Sequence, residues 1–148
     1  DSRVLRPQYF VFALLQSHLG QSLIPAQVNS PFCPIPHVGN VAARQEMPCL
    51  QVLASRNASG QLFLWVLNRS LDQNLATAVT LPLGPGHYNA AVQTLNGPSP
   101  AAHNEVNPPQ VGIKKTELPN LGSSFTYTFP AHSLTVMSFQ GESHPTKP

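Results

Sequence analysis

From Cys49 to Gln140 the chain breaks into seven short runs rich in apolar and β-branched residues, each closed by Gly, Pro, Asn or Ser. Such punctuation leaves room for little except a sandwich of short strands. The runs are Leu50 to Ser55, Gln61 to Asn68, Asn74 to Leu81, His87 to Leu95, Val111 to Leu118, Ser124 to Phe129 and Ser133 to Phe139. Phe125, Tyr127 and Phe129 alternate with Ser and Thr, and Leu134, Val136 and Ser138 alternate with Thr135, Met137 and Phe139, the period of a strand. Gln61 to Asn68 is apolar on both faces, as a central strand is. Asn57-Ala58-Ser59-Gly60 supplies a hairpin turn, Pro130-Ala131-His132 a tight corner, and Pro98, Pro100, Pro108 and Pro109 make 97–110 a loop. The expected fold is all-β, an antiparallel, jelly-roll-like β-sandwich over residues 49–140.

One α-helix is expected before it. Pro7 opens a segment, Gln8 to Leu19, that stops at Gly20, which is the placing of Pro and Gly at helix ends. Its apolar residues, Tyr9, Phe10, Val11, Phe12, Ala13, Leu14, Leu15 and Leu19, surround the helix instead of forming one stripe. A sandwich covers one side only, so the other side calls for a partner preceding Asp1. The chain starts at Asp1 without Met or a basic-then-apolar leader, read as a mature start or one made by cleavage or cloning. Residues 21–48 contain Pro25, Pro31, Pro34, Pro36 and Pro48 and read as an extended connection with one strand, Leu23 to Asn29. Residues 141–148 read as a disordered tail.

Charged residues are 9% of the chain, against about 25% in typical domains, so the solvent faces are built from uncharged polar groups. The net charge of +2 comes from scattered basic residues, which excludes the dense basic stripe that nucleic acid needs. There is no apolar run of about 20 residues, so no spanning helix and no membrane partner are expected. Cys33 and Cys49 either close a disulfide in an oxidising compartment or lie as two buried thiols. Localisation is left open, with secretion ahead of the cytoplasm.

The acidic residues are Asp1, Glu46, Asp72, Glu105, Glu117 and Glu142. None has an obvious partner for the paired-carboxylate chemistry of glycosidases. Asn104-Glu105 resembles a catalytic dipeptide of barrel glycosidases but falls in a Pro-rich sandwich loop. His18, His37, His87, His103, His132 and His144 show no metal-ligand spacing, and no Gly-x-Ser-x-Gly elbow occurs. No catalytic residue, metal or cofactor is expected in this chain. Tyr88, Tyr127 and Trp65 are the candidates for sugar contact, with Trp65 favoured as core. Asn57-Ala58-Ser59 and Asn68-Arg69-Ser70 both match the N-glycosylation acceptor triplet.

Several segments, in order, resemble the C-terminal region of retaining α-L-arabinofuranosidases of glycoside hydrolase family 51. Tyr9-Phe10-Val11-Phe12 through His18-Leu19-Gly20 is similar to the family's last barrel helix. Met47-Pro48-Cys49-Leu50-Gln51-Val52 and Leu64-Trp65-Val66-Leu67-Asn68-Arg69-Ser70 resemble its first sandwich strands. Leu95-Asn96-Gly97-Pro98-Ser99 with Ala102-His103-Asn104 and Asn107-Pro108 is similar to its loop, and Phe125-Thr126-Tyr127 with Pro130-Ala131-His132-Ser133-Leu134-Thr135-Val136 to its closing hairpin. The resemblance implies an accessory sandwich beside a catalytic (β/α)8 barrel that removes terminal arabinofuranosyl residues. Residues 1–20 would then be the last barrel helix, with Tyr9, Phe10, Phe12 and Leu14 packing on the barrel. The family's two catalytic glutamates have no counterpart here. Arabinose-containing polysaccharide and a homo-oligomer remain open as partners, and a free-standing carbohydrate-binding or adhesion module is the alternative.

Overall fold

The computed structural model describes residues 4–37, 39–84 and 86–141. The tail expected at 141–148 lies outside the described residues except for Gly141, which ends the last strand. One helix, α1 (Pro7–His18), is followed by β1 (Ser22–Ile24), β2 (Leu50–Arg56), β3 (Leu62–Asn68), β4 (Leu75–Thr80), β5 (Tyr88–Asn96), β6 (Gly112–Leu121), β7 (Ser124–Phe129) and β8 (Ser133–Gly141). Six strands form one antiparallel sheet in the order β1-β2-β3-β8-β5-β6, and β4 pairs with β7 in a second. Every expected sandwich run is a strand within a few residues of its expected limits. The early strand is shorter than Leu23 to Asn29, because Pro25 ends its ladder directly after Ile24.

Alternation of side chains places two cores on the two faces of the large sheet. Leu62, Leu64 and Val66 of β3, Ala90 and Val92 of β5, and Met137 and Phe139 of β8 face the small sheet, where Phe129 of β7 meets them. On the opposite face Phe63, Trp65, Leu95 and Val136 pack with Leu14 of the helix. β3 is buried on both sides because it lies between β2 and β8 with a core above and below it.

Three polar fasteners fix these layers. Asn68, at the end of β3, donates through Nδ2 to the carbonyls of Gln73 and Phe129 at 2.9 and 3.0 Å and accepts from the Ser70 N–H at 3.0 Å. It thereby ties the large sheet to the small one. Thr94 and Thr135 share a buried hydroxyl hydrogen bond at 3.2 Å between β5 and β8. At the corner, His132 presents Nδ1 to the Leu71 carbonyl at 2.9 Å and Nε2 to the Gly97 carbonyl at 3.1 Å.

The Pro-rich connection is more ordered than an extended wrap. Ile35 and Arg44 exchange two backbone hydrogen bonds, Cys33 N–H donates to the Met47 carbonyl, and Cys49 N–H donates to that of Pro31. The result is an antiparallel ribbon too interrupted by Pro34 and Pro36 to be a strand pair. A disulfide between Cys33 and Cys49, 4.9 Å apart at Cα, closes it. Crosslinking a loop of this size removes chain entropy from the unfolded state worth about 3 kcal/mol. Reduction, or Cys33→Ser with Cys49→Ser, is expected to lower the urea midpoint by that equivalent. An unchanged midpoint with and without reductant counts against the crosslink's role.

Candidate functional site

The feature that most calls for explanation is the helix and its surroundings. Arg6 precedes the first turn without a side-chain cap, and Pro7 at the start supplies a pre-set φ and lacks one of the N–H groups that a first turn leaves unpaired. The helix ends at His18, and Leu19 turns extended. Gly20 is not a left-handed helix terminator as its position implied. A Cβ there would stand 2.5 Å from the Arg56 backbone, and its N–H donates to Ser55 Oγ at 2.9 Å. Glycine is required so that the chain leaving the helix can press against β2.

The inner face of α1 is fixed to the sheet by packing and by a chain of hydrogen bonds. Leu14 is 1% exposed, with Phe10 and Val11 beside it. Trp65 donates from Nε1 to the His18 carbonyl at 3.0 Å. His18 contacts the Leu14 carbonyl through Nδ1 at 3.2 Å and Gln93 Nε2 through Nε2 at 2.6 Å, and its ring meets that of Phe63 edge-on. With Nδ1–H donating to the carbonyl, Nε2 is left as the acceptor for Gln93, so one neutral tautomer satisfies both partners.

A second clamp holds the segment before the helix. Asn104, buried in the long loop, donates from Nδ2 to the carbonyls of Leu5 and Val111, both at 2.8 Å, and accepts from Val111 N–H at 2.7 Å. Beside it Glu105 pairs with Arg6 at 2.9 Å and with His103 at 3.4 Å. The Glu105 carboxyl is held below the ordinary carboxylate range, first by its own backbone N–H and then by the charges of Arg6 and His103. A glycosidic general acid needs the opposite shift, upward. Asn104 and Glu105 together join the long loop to the segment that leads into the helix.

The outer face of α1 is open. Phe12 is 70% exposed and Tyr9 53%, Leu15 is exposed on the helix as well, and Leu5 and Leu19 are exposed just before and just after it. Val4 and Val106 extend this surface, and a depression of about 520 Å³ lies between the helix start and the loop, lined by Leu5, Phe10, Val106 and Pro109. Of the four residues expected to pack on a barrel, only Tyr9 and Phe12 face outward. Leu14 is corrected: it is enclosed by the sandwich, because Trp65 and Val136 offer the nearest apolar surface, while Phe10 is half-buried between that core and the depression.

The sugar-contact candidates separate. Trp65 is buried in the helix-facing core, and Tyr127 packs in the inter-sheet core with its ring centroid 4.9 Å from that of Phe129. Trp65 is thus a core residue, the reading favoured for it, and Tyr127 is half-buried with its ring against the inter-sheet core. Tyr88 is half-buried, donates its hydroxyl to the Gly84 carbonyl at 2.8 Å, and lines a shallow cleft of about 350 Å³ with Gln61, Gln140 and Ser59. Among the described residues no three His, Cys, Asp or Glu side chains converge as metal ligands, and no helix is long and apolar enough to cross a membrane.

Known proteins place this geometry. A crystal structure of an arabinofuranosidase superposes with a TM-score of 0.84 at 28% identity, covering 95% of this chain and 30% of that one. The thermostable GH51 α-L-arabinofuranosidase from Thermotoga petrophila gives 0.82 at 28% identity, over 93% of this chain and 30% of that one. The arabinose complex of the Thermotoga maritima α-L-arabinofuranosidase gives 0.81 at 28%, over 91% and 29%. The chain therefore spans about 30% of the length of these enzymes. Comparison with curated protein sequences finds no match. The α-L-arabinofuranosidase C-terminal domain family matches residues 1–133, the helix and strands β1 to β7, and the chain belongs to that family.

Proposed function

We propose that this chain is the accessory sandwich of an α-L-arabinofuranosidase whose catalytic (β/α)8 barrel seats on the outer face of α1. The parent enzyme removes terminal arabinofuranosyl residues from arabinose-containing polysaccharides. The observation that carries this reading is the two-faced helix: Leu14 is enclosed by the sandwich while Phe12 and Tyr9 stand in solvent. A soluble domain gains nothing from two exposed aromatic rings on one helix unless another apolar surface covers them. Membership of the C-terminal domain family and the 30% coverage of longer arabinofuranosidases agree with it. The sandwich supports the barrel and contributes no reacting group. Its loop staple, Arg6–Glu105 with Asn104, holds the first turn of the helix in the orientation the barrel meets.

Hydrolysis of an aryl α-L-arabinofuranoside tests this directly. This chain alone is expected to give no turnover above buffer, and the polypeptide that adds the barrel is expected to be active. Glu105→Gln is expected to leave that activity within about twofold, since the Arg6–Glu105 pair is solvent-exposed, surface pairs are worth little, and the buried Asn104 contacts remain. Loss of all activity in Glu105→Gln with the fold intact would overturn the assignment.

The cleft beside Tyr88 favours a second reading, a carbohydrate-binding surface, because a partly exposed ring flanked by two amides complements the C–H face and hydroxyls of a sugar. Retardation in arabinan gels that disappears in Tyr88→Ala supports it. Equal mobility with and without polysaccharide removes it.

A further inference from the structure

We infer that Asn57 is an N-glycosylation site and that Asn68, which carries the same acceptor triplet, is not. The two sites differ in structure although they match the same pattern. Asn57 begins the β2–β3 hairpin loop, in which Ala58, Ser59 and Gly60 are exposed, and Gly60 N–H donates to the Asn57 carbonyl at 3.0 Å. Gly60 has a φ of 83°, which closes the turn without a Cβ. The Asn57 side chain is already in an acceptor geometry: Oδ1 accepts from Ser59 N–H at 3.1 Å, Ser59 Oγ at 2.8 Å and Gln61 N–H at 2.9 Å. The hydroxyl two residues on therefore touches the amide that would be modified.

The chemistry leaves this network standing. An oligosaccharide is transferred from a polyisoprenyl diphosphate donor to Asn57 Nδ2. The bond from sugar C1 to the diphosphate oxygen breaks, the C1–N bond forms, the lipid diphosphate leaves, and one amide proton passes to a base of the transferase. Nδ2 keeps its second hydrogen for Gln61 Oε1, 3.2 Å away, and Oδ1 keeps all three of its donors. Asn68 has no such freedom. Both of its Nδ2 hydrogens are spent on the Gln73 and Phe129 carbonyls, and the residue is 1% exposed. A glycan attached there before folding removes one of those bonds and blocks closure of the two sheets, so molecules bearing it do not reach the native state.

A second, independent observation indicates that the chain meets the compartment where such transfer occurs. The Cys33–Cys49 disulfide belongs to an oxidising environment, as in the secretory pathway.

The test is secretion of the whole polypeptide carrying this chain from a eukaryotic host. Enzymatic deglycosylation in heavy-oxygen water then marks each formerly occupied Asn as a labelled Asp, located by peptide fragmentation. The secreted protein is expected to be labelled at position 57 and unlabelled at 68. Ser59→Ala is expected to abolish the label and Ser59→Thr to retain it, the pair controlling for any effect on folding. Secreted wild-type protein without label at 57, or with label at 68, would overturn the inference.

Discussion

Asn68→Asp is expected to remove about 3–5 kcal/mol of stability, on the scale that a buried, half-satisfied polar site loses. The substitution keeps the shape of the side chain and the acceptor for Ser70 N–H, and takes away the two hydrogens that bind the Gln73 and Phe129 carbonyls. Each carbonyl left without a donor costs about 1–3 kcal/mol, and an ionised carboxylate facing two carbonyl oxygens adds repulsion. Against a typical total of about 5–15 kcal/mol this is a large fraction. Burial and the neighbouring oxygens raise the new carboxyl's pKa above its unfolded value. A raised folded pKa makes the native state gain relative stability as pH falls, because protonation both removes the charge and restores one donor. Asn68→Ala carries no charge, so its deficit is expected not to shift with pH in this way. Urea unfolding of both variants at neutral and mildly acidic pH separates the two contributions. A deficit in Asn68→Asp below about 1 kcal/mol would mean that the amide does not join the sheets.

The same asparagine shows where sequence alone was sufficient and where it was not. Strands were legible because a half-buried strand writes its period into the chain: Phe125, Tyr127 and Phe129 alternate with Ser and Thr, and β7 spans Ser124–Phe129. The double burial of β3 was legible for the same reason, since Phe63 and Trp65 face one core and Leu62, Leu64 and Val66 the other. Asn68 at the end of that strand looked only like an acceptor triplet. Its partners lie 5 and 61 residues away, and the second separation is set by topology. Gly20 was placed correctly beside the helix end but for another reason, because the constraint is the Arg56 backbone 2.5 Å from a would-be Cβ. Nothing in the sequence decides between thiols and a disulfide for Cys33 and Cys49, because the ribbon that brings them together rests on Ile35 and Arg44, whose pairing no periodicity announces. The helix is the least legible element. A segment apolar around its circumference has no preferred direction, so its pattern cannot say that Leu14 and Phe10 face the sandwich and Tyr9 and Phe12 do not. That division depends on which side chains of β3, β5 and β8 lie beneath it.

That division also sets the sharpest expectation for the assembled enzyme. Leu14→Ala is expected to cost about 2–5 kcal/mol in this chain by itself, because the side chain is enclosed by Phe63, Trp65, Leu95 and Val136 and leaves a cavity. Phe12→Ala is expected to change the same measurement by no more than about 0.5 kcal/mol, since 70% of the residue is already in water. In the polypeptide that includes the barrel the gap between the two narrows. Covering a phenylalanine ring is worth about 1.5–3 kcal/mol, so Phe12→Ala becomes costly only when the barrel is present, and Tyr9→Ala acts in the same direction. Thermal unfolding of the four proteins, each variant with and without the barrel, reads the difference. Equal losses for Phe12→Ala in both contexts would mean that the barrel does not cover this face. A loss in the chain alone as large as that of Leu14→Ala would mean that Phe12 already has an apolar partner within the sandwich. If the penalty appears only with the barrel, the outer face of α1 is the joint through which the sandwich supports the catalytic domain. Leu14 and Phe12, two residues apart, would then belong to different cores, one within the sandwich and one between the domains.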